Sequence, residues 1–398
     1  MPTSSSINAE VFGGPFDPGG QPDTRTGQPM ELSLFAWNVR SGLTASKAVL
    51  SDPDRLQDFW VWERSSHLLR EAERIGMDSQ VQYGMWTGYG GPSEWNNAGY
   101  DFASAAAASA AITSKLGIFS TCHVGYKFHP LHVAKIGASI DSISGGRWGL
   151  NIVAGQNPKD FAQFGIKAPP PSEVRYAICD EFVTLMKYLW TSDRPVDFEG
   201  EYYQAYGAFV NPKPVRKPRP VLMNAGQSGA GFDFACKQAD WVFVAPMAGT
   251  PEAYGSLVAD AHARAAVHGR TVRVASMSYA IIEETDEAAA AKVRWLEDEV
   301  DDEAVREFIR SATGTSNALD TDDDDPYMGV GRDMFMKIAV GMTGYQLIGG
   351  YDTVCERIKA LYEIGVEHMV ICFLDPLDGL EKMEQHILPR LRAMGLRK

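Results

Sequence analysis

Cysteine is scarce and dispersed. Five of the 398 residues are Cys (Cys122, Cys179, Cys236, Cys355, Cys372), with no CxxC pair and no Cys/His set at zinc-finger spacing. That excludes a disulfide scaffold and a zinc module, and fits a reducing compartment. Positive charge is in deficit: 37 Lys and Arg stand against 51 Asp and Glu, a net charge of −14 and a sequence pI near 5.1. Such a balance repels phosphate backbones and anionic lipid surfaces, so neither nucleic acid nor membrane is an expected partner. No stretch reaches the roughly 18 uninterrupted apolar residues of a spanning helix. The opening Met-Pro-Thr-Ser-Ser-Ser carries neither the basic nor the apolar region of a secretion signal, and the expected location is the cytoplasm. A GxSxG elbow and a Walker loop are also missing, which argues against serine hydrolysis and P-loop chemistry. His123, His129 and His132 lie close together but without carboxylates at ligand spacing, so no metal is expected.

What is present is an ordinary globular composition, 45% hydrophobic and 22% charged. Residues 1–30, rich in Gly, Pro, Ser and Asp, have no hydrophobic period and are expected to form an irregular arm. From Glu31 onward, apolar strand-like runs alternate with helical periods. Strands are expected at 32–37, 78–83, 116–123, 148–153, 220–225, 241–244, 272–282 and 367–373. Helices are expected at 56–74, 103–114, 130–144, around 179–190, from 228, from 252 and at 380–391. In the helix 130–144, Val133, Ile136, Ile140 and Ile143 fall on one stripe. About eight β–α units with fully apolar strands predict a parallel sheet covered by helices, and the length suits a single (β/α)8 TIM barrel with insertions better than two open sheets. One domain is therefore expected over 31–398, with an insertion at about 286–350. Its acidic run Asp322–Asp325 reads as a solvated loop.

In such a barrel, chemistry sits at the C-terminal ends of the strands. That rule selects Trp37 and Asn38, then Met85, Trp86 and Thr87, then Cys122 and His123. It also selects Asn151 to Gln156, the loop Ala225 to Gly229, and Phe373 to Asp375. Asn151 interrupts an apolar strand, and a buried amide must find hydrogen bonds, either in the core backbone or on a bound ring. The segment Asn224-Ala225-Gly226-Gln227-Ser228-Gly229 joins a strand to a helix. It is either an anion cradle or a tight turn with Ser228 as N-cap, and sequence physics leaves both open. Arg175 and Tyr176 could both donate to a phosphate, or Arg175 could make an exposed ion pair. Trp37, Trp86, Tyr89, Trp95 and Phe373 would suit an aromatic pocket, although any single one is more often core.

Several of these stretches together carry a resemblance. The run Ile140-Asp141-Ser142-Ile143-Ser144-Gly145-Gly146-Arg147-Trp148-Gly149-Leu150-Asn151-Ile152-Val153 resembles the signature of bacterial luciferase-like flavin monooxygenases. Glu173-Val174-Arg175-Tyr176 resembles their phosphate motif, and Ala225-Gly226-Gln227-Ser228 the loop that closes over the same phosphate. Gly88-Tyr89-Gly90-Gly91 and Asp197-Phe198-Glu199-Gly200-Glu201-Tyr202-Tyr203 fit the same group, nearest the pyrimidine (uracil ring-opening) and dimethylsulfone monooxygenases. The resemblance implies reduced FMN (FMNH2) delivered by a separate NAD(P)H-dependent flavin reductase, O2 as co-substrate, and a small organic substrate, in a homo-oligomer (dimer or tetramer). It implies catalytic roles for Asn151, Cys122 and Gln156. Flavin contacts are implied for Met85, Trp86, Asn151, Asp160, Arg175, Tyr176, Gly226, Gln227, Ser228 and Gly229, and a substrate pocket for Trp37, Trp86, Thr87, His123 and Phe373. Cys122, Gln156 and Met85 stand where the uracil-opening enzymes carry Thr, Trp and Lys. Loss of that cation disfavours an anionic substrate and points to a small N-heteroaromatic compound. Alternatives are a sulfone or alkanesulfonate monooxygenase, a deazaflavin-dependent oxidoreductase, and a non-catalytic flavin-binding protein.

Overall fold

The computed structural model describes residues 17–155, 157–227, 229–246, 249–313 and 324–398, together with the backbone of the strand Ser5–Asn8. The fold is a (β/α)8 barrel. Its strands are β1 (Glu31–Phe35), β2 (Ser79–Val81), β3 (Gly117–His123), β4 (Trp148–Val153), β5 (Val221–Asn224), β6 (Trp241–Phe243), β7 (Arg273–Glu283) and β8 (His368–Phe373). One principal helix is labelled after each strand, not always the next in sequence: α1 (Trp62–Ile75), α2 (Phe102–Ile112), α3 (Pro130–Ser144), α4 (Ser172–Thr191), α5 (Gly229–Gln238), α6 (Pro251–Val267), α7 (Tyr351–Glu363) and α8 (Pro376–Lys382). Among the described residues no helix is long and apolar enough to cross a membrane.

The chain divides into two compact units. The first comprises Met1–Thr24, Phe102–Phe243 and Ala259–Arg273, the second Arg25–Asp101, Val244–Val258 and Val274–Lys398. In the first unit the parallel order is β3-β4-β5-β6, with Thr121 level with Asn151, Asn151 with Met223 and Met223 with Trp241. A small second sheet joins Ser5–Asn8, Val196–Glu199 and Gln204–Ala208. In the second unit the order runs Tyr345–Gly350, β7, β8, β1, β2. The strands are buried along almost their whole length, as strands covered by helices must be.

Local chemistry sets the ends. α1 stops where Gly76 takes φ 90°, and its N–H bonds the Ala72 and Glu73 carbonyls. It also starts later than its apolar period suggests, because Leu56–Asp58 form a separate 3-10 turn. On α3 the expected stripe is corrected. Val133 and Ile140 are buried as expected, but Ile143 is 61% exposed, and the buried face also runs through Ala134, Gly137, Ala138 and Asp141. The cause is Trp148, whose ring lies so close that a Cβ on Gly137 would come within 2.3 Å of it. The small residues, not the larger Ile143, therefore meet the strand.

The span 286–350 holds three helices, Asp286–Glu297, Asp302–Thr313 and Arg332–Gly341, and the strand Tyr345–Gly350 parallel to β7. Of the acidic run, Asp322 and Asp323 lie outside the described residues, and Asp325 accepts a hydrogen bond from the Tyr327 N–H at 2.7 Å. All five cysteines are buried and free.

Candidate active site

In the first unit, β4 alternates. Leu150 and Ile152 join the apolar layer shared with Phe182, Leu185 and Met186 of α4, which turns Asn151 to the other face of the strand. The Asn151 side chain is buried, and its Nδ2 donates to Thr121 Oγ1 at 3.1 Å. Its Oδ1 has no hydrogen-bond partner. A buried amide oxygen left unmet costs about 1–3 kcal/mol, so this acceptor is set for a ligand's donor. The same register corrects the expectation for Cys122. It is level with Ile152, is 1% exposed, and packs with Ile118, Val124 and Ile152 in the apolar layer. Thr121, one residue earlier, occupies the face of Asn151. Gln156 lies outside the described residues.

His123 shares the parity of Thr121 and is buried, and desolvation pulls its pKa down to about 4, leaving a neutral imidazole near pH 7. Its ring stacks on Tyr126 at 5.1 Å with 13° between planes, and Tyr126 stacks in turn on Phe164 at 5.3 Å. The Tyr126 hydroxyl donates to Asp160 Oδ2 at 3.0 Å, which gives the buried Asp160 a positioning role on this stack. Gly155, at φ 87°, is needed here: a Cβ would stand 2.7 Å from Tyr126 and 2.9 Å from Phe161.

After β5 the strand end is locked by Asn224. Its Nδ2 donates to the Ile152 carbonyl at 2.6 Å, and its Oδ1 accepts from the Gly226 N–H at 2.8 Å. A side chain at Gly226 would meet the Gly231 carbonyl oxygen at 2.5 Å. The Gln227 Nε2 donates to the Phe243 carbonyl at 2.9 Å. A Cβ on Gly229, the first residue of α5, would meet nothing within 4 Å, so the helix start has open space beside it. Ser228 lies outside the described residues.

In the first turn of α4, Arg175 is buried and its Nη1 donates to the Pro170 carbonyl at 2.8 Å. Burial holds its pKa below the ordinary guanidinium value, and burial likewise raises that of the neighbouring Tyr176 phenol, which stays a neutral donor. The Tyr176 ring meets Phe234 of α5 at 5.5 Å, which packs the start of α4 against the middle of α5. A desolvated guanidinium, a neutral phenol and a helix start with room beside it fit the phosphate of a mononucleotide, and the unmet Asn151 Oδ1 fits a ring N–H.

The second unit treats its candidates differently. Trp37 is 2% exposed and its Nε1 donates to Gln80 Oε1 at 2.6 Å, so its polar atom is committed inside the protein. Phe373 is also corrected: Gly379 of α8 sits against its ring, where a Cβ would come within 2.4 Å, which turns the ring toward the helix layer. Tyr89 and Trp95 pack with Phe308 of the helix Asp302–Thr313, with centroids 4.8 to 5.6 Å apart. Met85 and Thr87 are half-buried in the loop after β2, and Trp86 between them is 43% exposed. Sequence reasoning passed over Thr121, Tyr126 and Tyr83. The Tyr83 hydroxyl lies 3.0 Å from that of Tyr89, and its backbone N–H and carbonyl bond the Asn38 amide. No local signal marks Thr121, whose pairing with Asn151 follows from the register of β3 on β4.

The luciferase-like monooxygenase family profile matches residues 30–368. The FMNH2-dependent dimethylsulfone monooxygenase of Pseudomonas putida is 28% identical over 372 residues, covering 92% of this chain and 96% of that protein. Pyrimidine monooxygenase RutA of Bradyrhizobium sp. (strain BTAi1) is 30% identical over 345 residues, covering 84% and 91%. Among solved structures, a long-chain alkane monooxygenase superposes with a TM-score of 0.79 over 94% of this chain and 93% of its own, at 18% identity, a likeness of fold alone.

Proposed function

Because the chain belongs to the luciferase-like monooxygenase family, we propose that it takes up reduced FMN at the strand ends of its first unit and uses O2 to oxygenate a small neutral N-heteroaromatic molecule. The observation that carries this reading is Asn151, whose amide is fixed by Thr121 and whose oxygen is buried and unmet. When bound, reduced FMN supplies the electrons with which O2 is activated.

The chain's own residues do the rest. Arg175, Tyr176 and the backbone N–H groups opening α5 bind the phosphate, and the cost of burying Arg175 is offset when the anion arrives. Gly226 keeps the loop close to that phosphate, and Gln227 ties it to the end of β6. Thr121 orients Asn151, whose Oδ1 accepts a hydrogen bond from a ring N–H while its Nδ2 remains on Thr121. His123 stays uncharged near pH 7, so it adds no formal charge to that face. The Tyr126–Phe164 stack and its Asp160 bond exclude water from that side.

A separate NAD(P)H-dependent flavin reductase supplies the reduced cofactor. A neutral sulfone is the second reading, favoured by the dimethylsulfone relative, which the chain matches over 92% of its length. Oxygen uptake and product analysis with purified protein, a flavin reductase and NADH separate the two. Uracil-like heterocycles should stimulate product formation; turnover of dimethylsulfone alone would replace the heteroaromatic reading by the sulfone one.

A further inference from the structure

At the N-terminal ends of β5 and β6, at the opposite end of β5 from Gly226, the first unit buries a charge cluster that the oxygenase reading does not use. Lys187 of α4, Arg219 before β5 and Arg270 before β7 have side chains 0%, 0% and 3% exposed. Asp240, 2% exposed, takes Arg219 at 2.7 Å and Arg270 at 3.0 Å. One carboxylate cannot balance three cations, and the second is Asp17, from the N-terminal arm. Its Oδ1 lies 2.8 Å from Lys187 Nζ and 2.6 Å from Arg219 Nη2, and its Oδ2 lies 2.6 Å from Arg270 Nε. Both oxygens are thus engaged by cations from three different segments.

Neighbouring side chains hold the cations in place. Lys187 Nζ also donates to Gln238 Oε1 at 2.8 Å, and Gln238 Nε2 donates to Asp180 Oδ1 at 2.8 Å, so the cluster is tied to the middle of α4 and the end of α5. Burial pushes the Asp17 carboxyl up, but Lys187, Arg219 and Arg270 more than cancel this and hold it well below the usual carboxylate range. The arm has further ties on either side. Gln21 Nε2 donates to the Thr271 carbonyl at 2.8 Å, and Arg216 Nη1 donates to the Asp23 carbonyl at 2.8 Å. Those ties are to backbone oxygens that water can replace, whereas the charge of Asp17 has no such substitute in a dry cluster.

We propose that Lys187, Arg219 and Arg270 form a carboxylate-binding pocket, and that Asp17 is its tethered ligand, so that occupancy of this pocket docks the N-terminal arm. With Asp17 removed, the pocket takes a free small carboxylate in its place. The proposal is independent of the flavin reading, since its readout needs no cofactor.

The test is thermal unfolding of the full chain, with formate as the free carboxylate and chloride at matched ionic strength as the control. Asp17→Ala should lower Tm by about 4 °C or more, because truncating one partner strands buried cations. Formate should restore most of that loss saturably, over and above its effect on the wild type, and chloride should not. Asp17→Asn should lose stability too but gain nothing from formate, since the amide still fills the pocket. Should Asp17→Ala fold poorly, Asp17→Ala/Lys187→Met should recover stability, because it removes a stranded cation with the carboxylate. A wild-type Tm for Asp17→Ala would overturn the proposal. So would equal formate responses in Asp17→Ala and Asp17→Asn, or none in Asp17→Ala.

Discussion

The two units handle the residues at their strand ends in opposite ways. In the first, a polar candidate is left with capacity to spare: the Asn151 oxygen is buried and unmet. In the second, four aromatic candidates are packed or bonded inside the protein, with Trp37 bonded to Gln80, Phe373 facing α8, and Tyr89 and Trp95 locked to Phe308. Position after a barrel strand therefore nominates a residue, but unmet capacity decides whether it can serve a ligand. Packing alone cannot tell a substrate pocket from core, because aromatic rings satisfy both.

The largest expected effect breaks the comparison from the packed side. Trp95→Ala should cost about 3–5 kcal/mol of stability in denaturant unfolding while KM of the folded fraction stays unchanged. A large KM change would place Trp95 in the pocket after all. From the polar side, Asn151→Ala should cut oxygenation by roughly a hundredfold or more at little cost in stability, read in product formation under saturating reduced FMN. Arg175→Ala should weaken reduced-FMN affinity by roughly ten- to a hundredfold, the worth of about 1.5–3 kcal/mol for one charge-assisted contact. An unchanged affinity would move the phosphate elsewhere.

The smallest effect is a pH dependence. The unfolded chain binds a proton on His123 near its ordinary 6.5, whereas the folded chain does so only near 4. Acid therefore favours unfolding: stability should be full above about pH 6.5 and decline toward pH 4, and His123→Gln should flatten that decline in Tm against pH. The same slope in the variant would assign it to other groups.

These contrasts also explain what the sequence made legible. α3 and β4 stand at the expected Pro130–Ser144 and Trp148–Val153, because Pro130 opens the helix, Gly145 at φ 70° ends it, and the strand is apolar but for one residue. Asn151 was visible as the polar break in that run. Its partner was not, since choosing Thr121 over Cys122 requires the pairing register, which is a long-range fact. The direction of the Phe373 ring depends in the same way on Gly379, and the buried face of α3 on Trp148, neither of which a periodicity reports. The span 286–350 was legible as an insertion, but its amphipathic helices were not assigned because they follow no apolar strand of the barrel repeat.

The central claim is that the strand ends of the first unit hold reduced FMN, and anaerobic titration of the wild-type chain with reduced FMN, followed by flavin fluorescence, tests it most directly. The account predicts saturable binding of one FMN per chain that inorganic phosphate weakens by competition at Arg175 and Tyr176. A chain that leaves reduced FMN free in solution would contradict it.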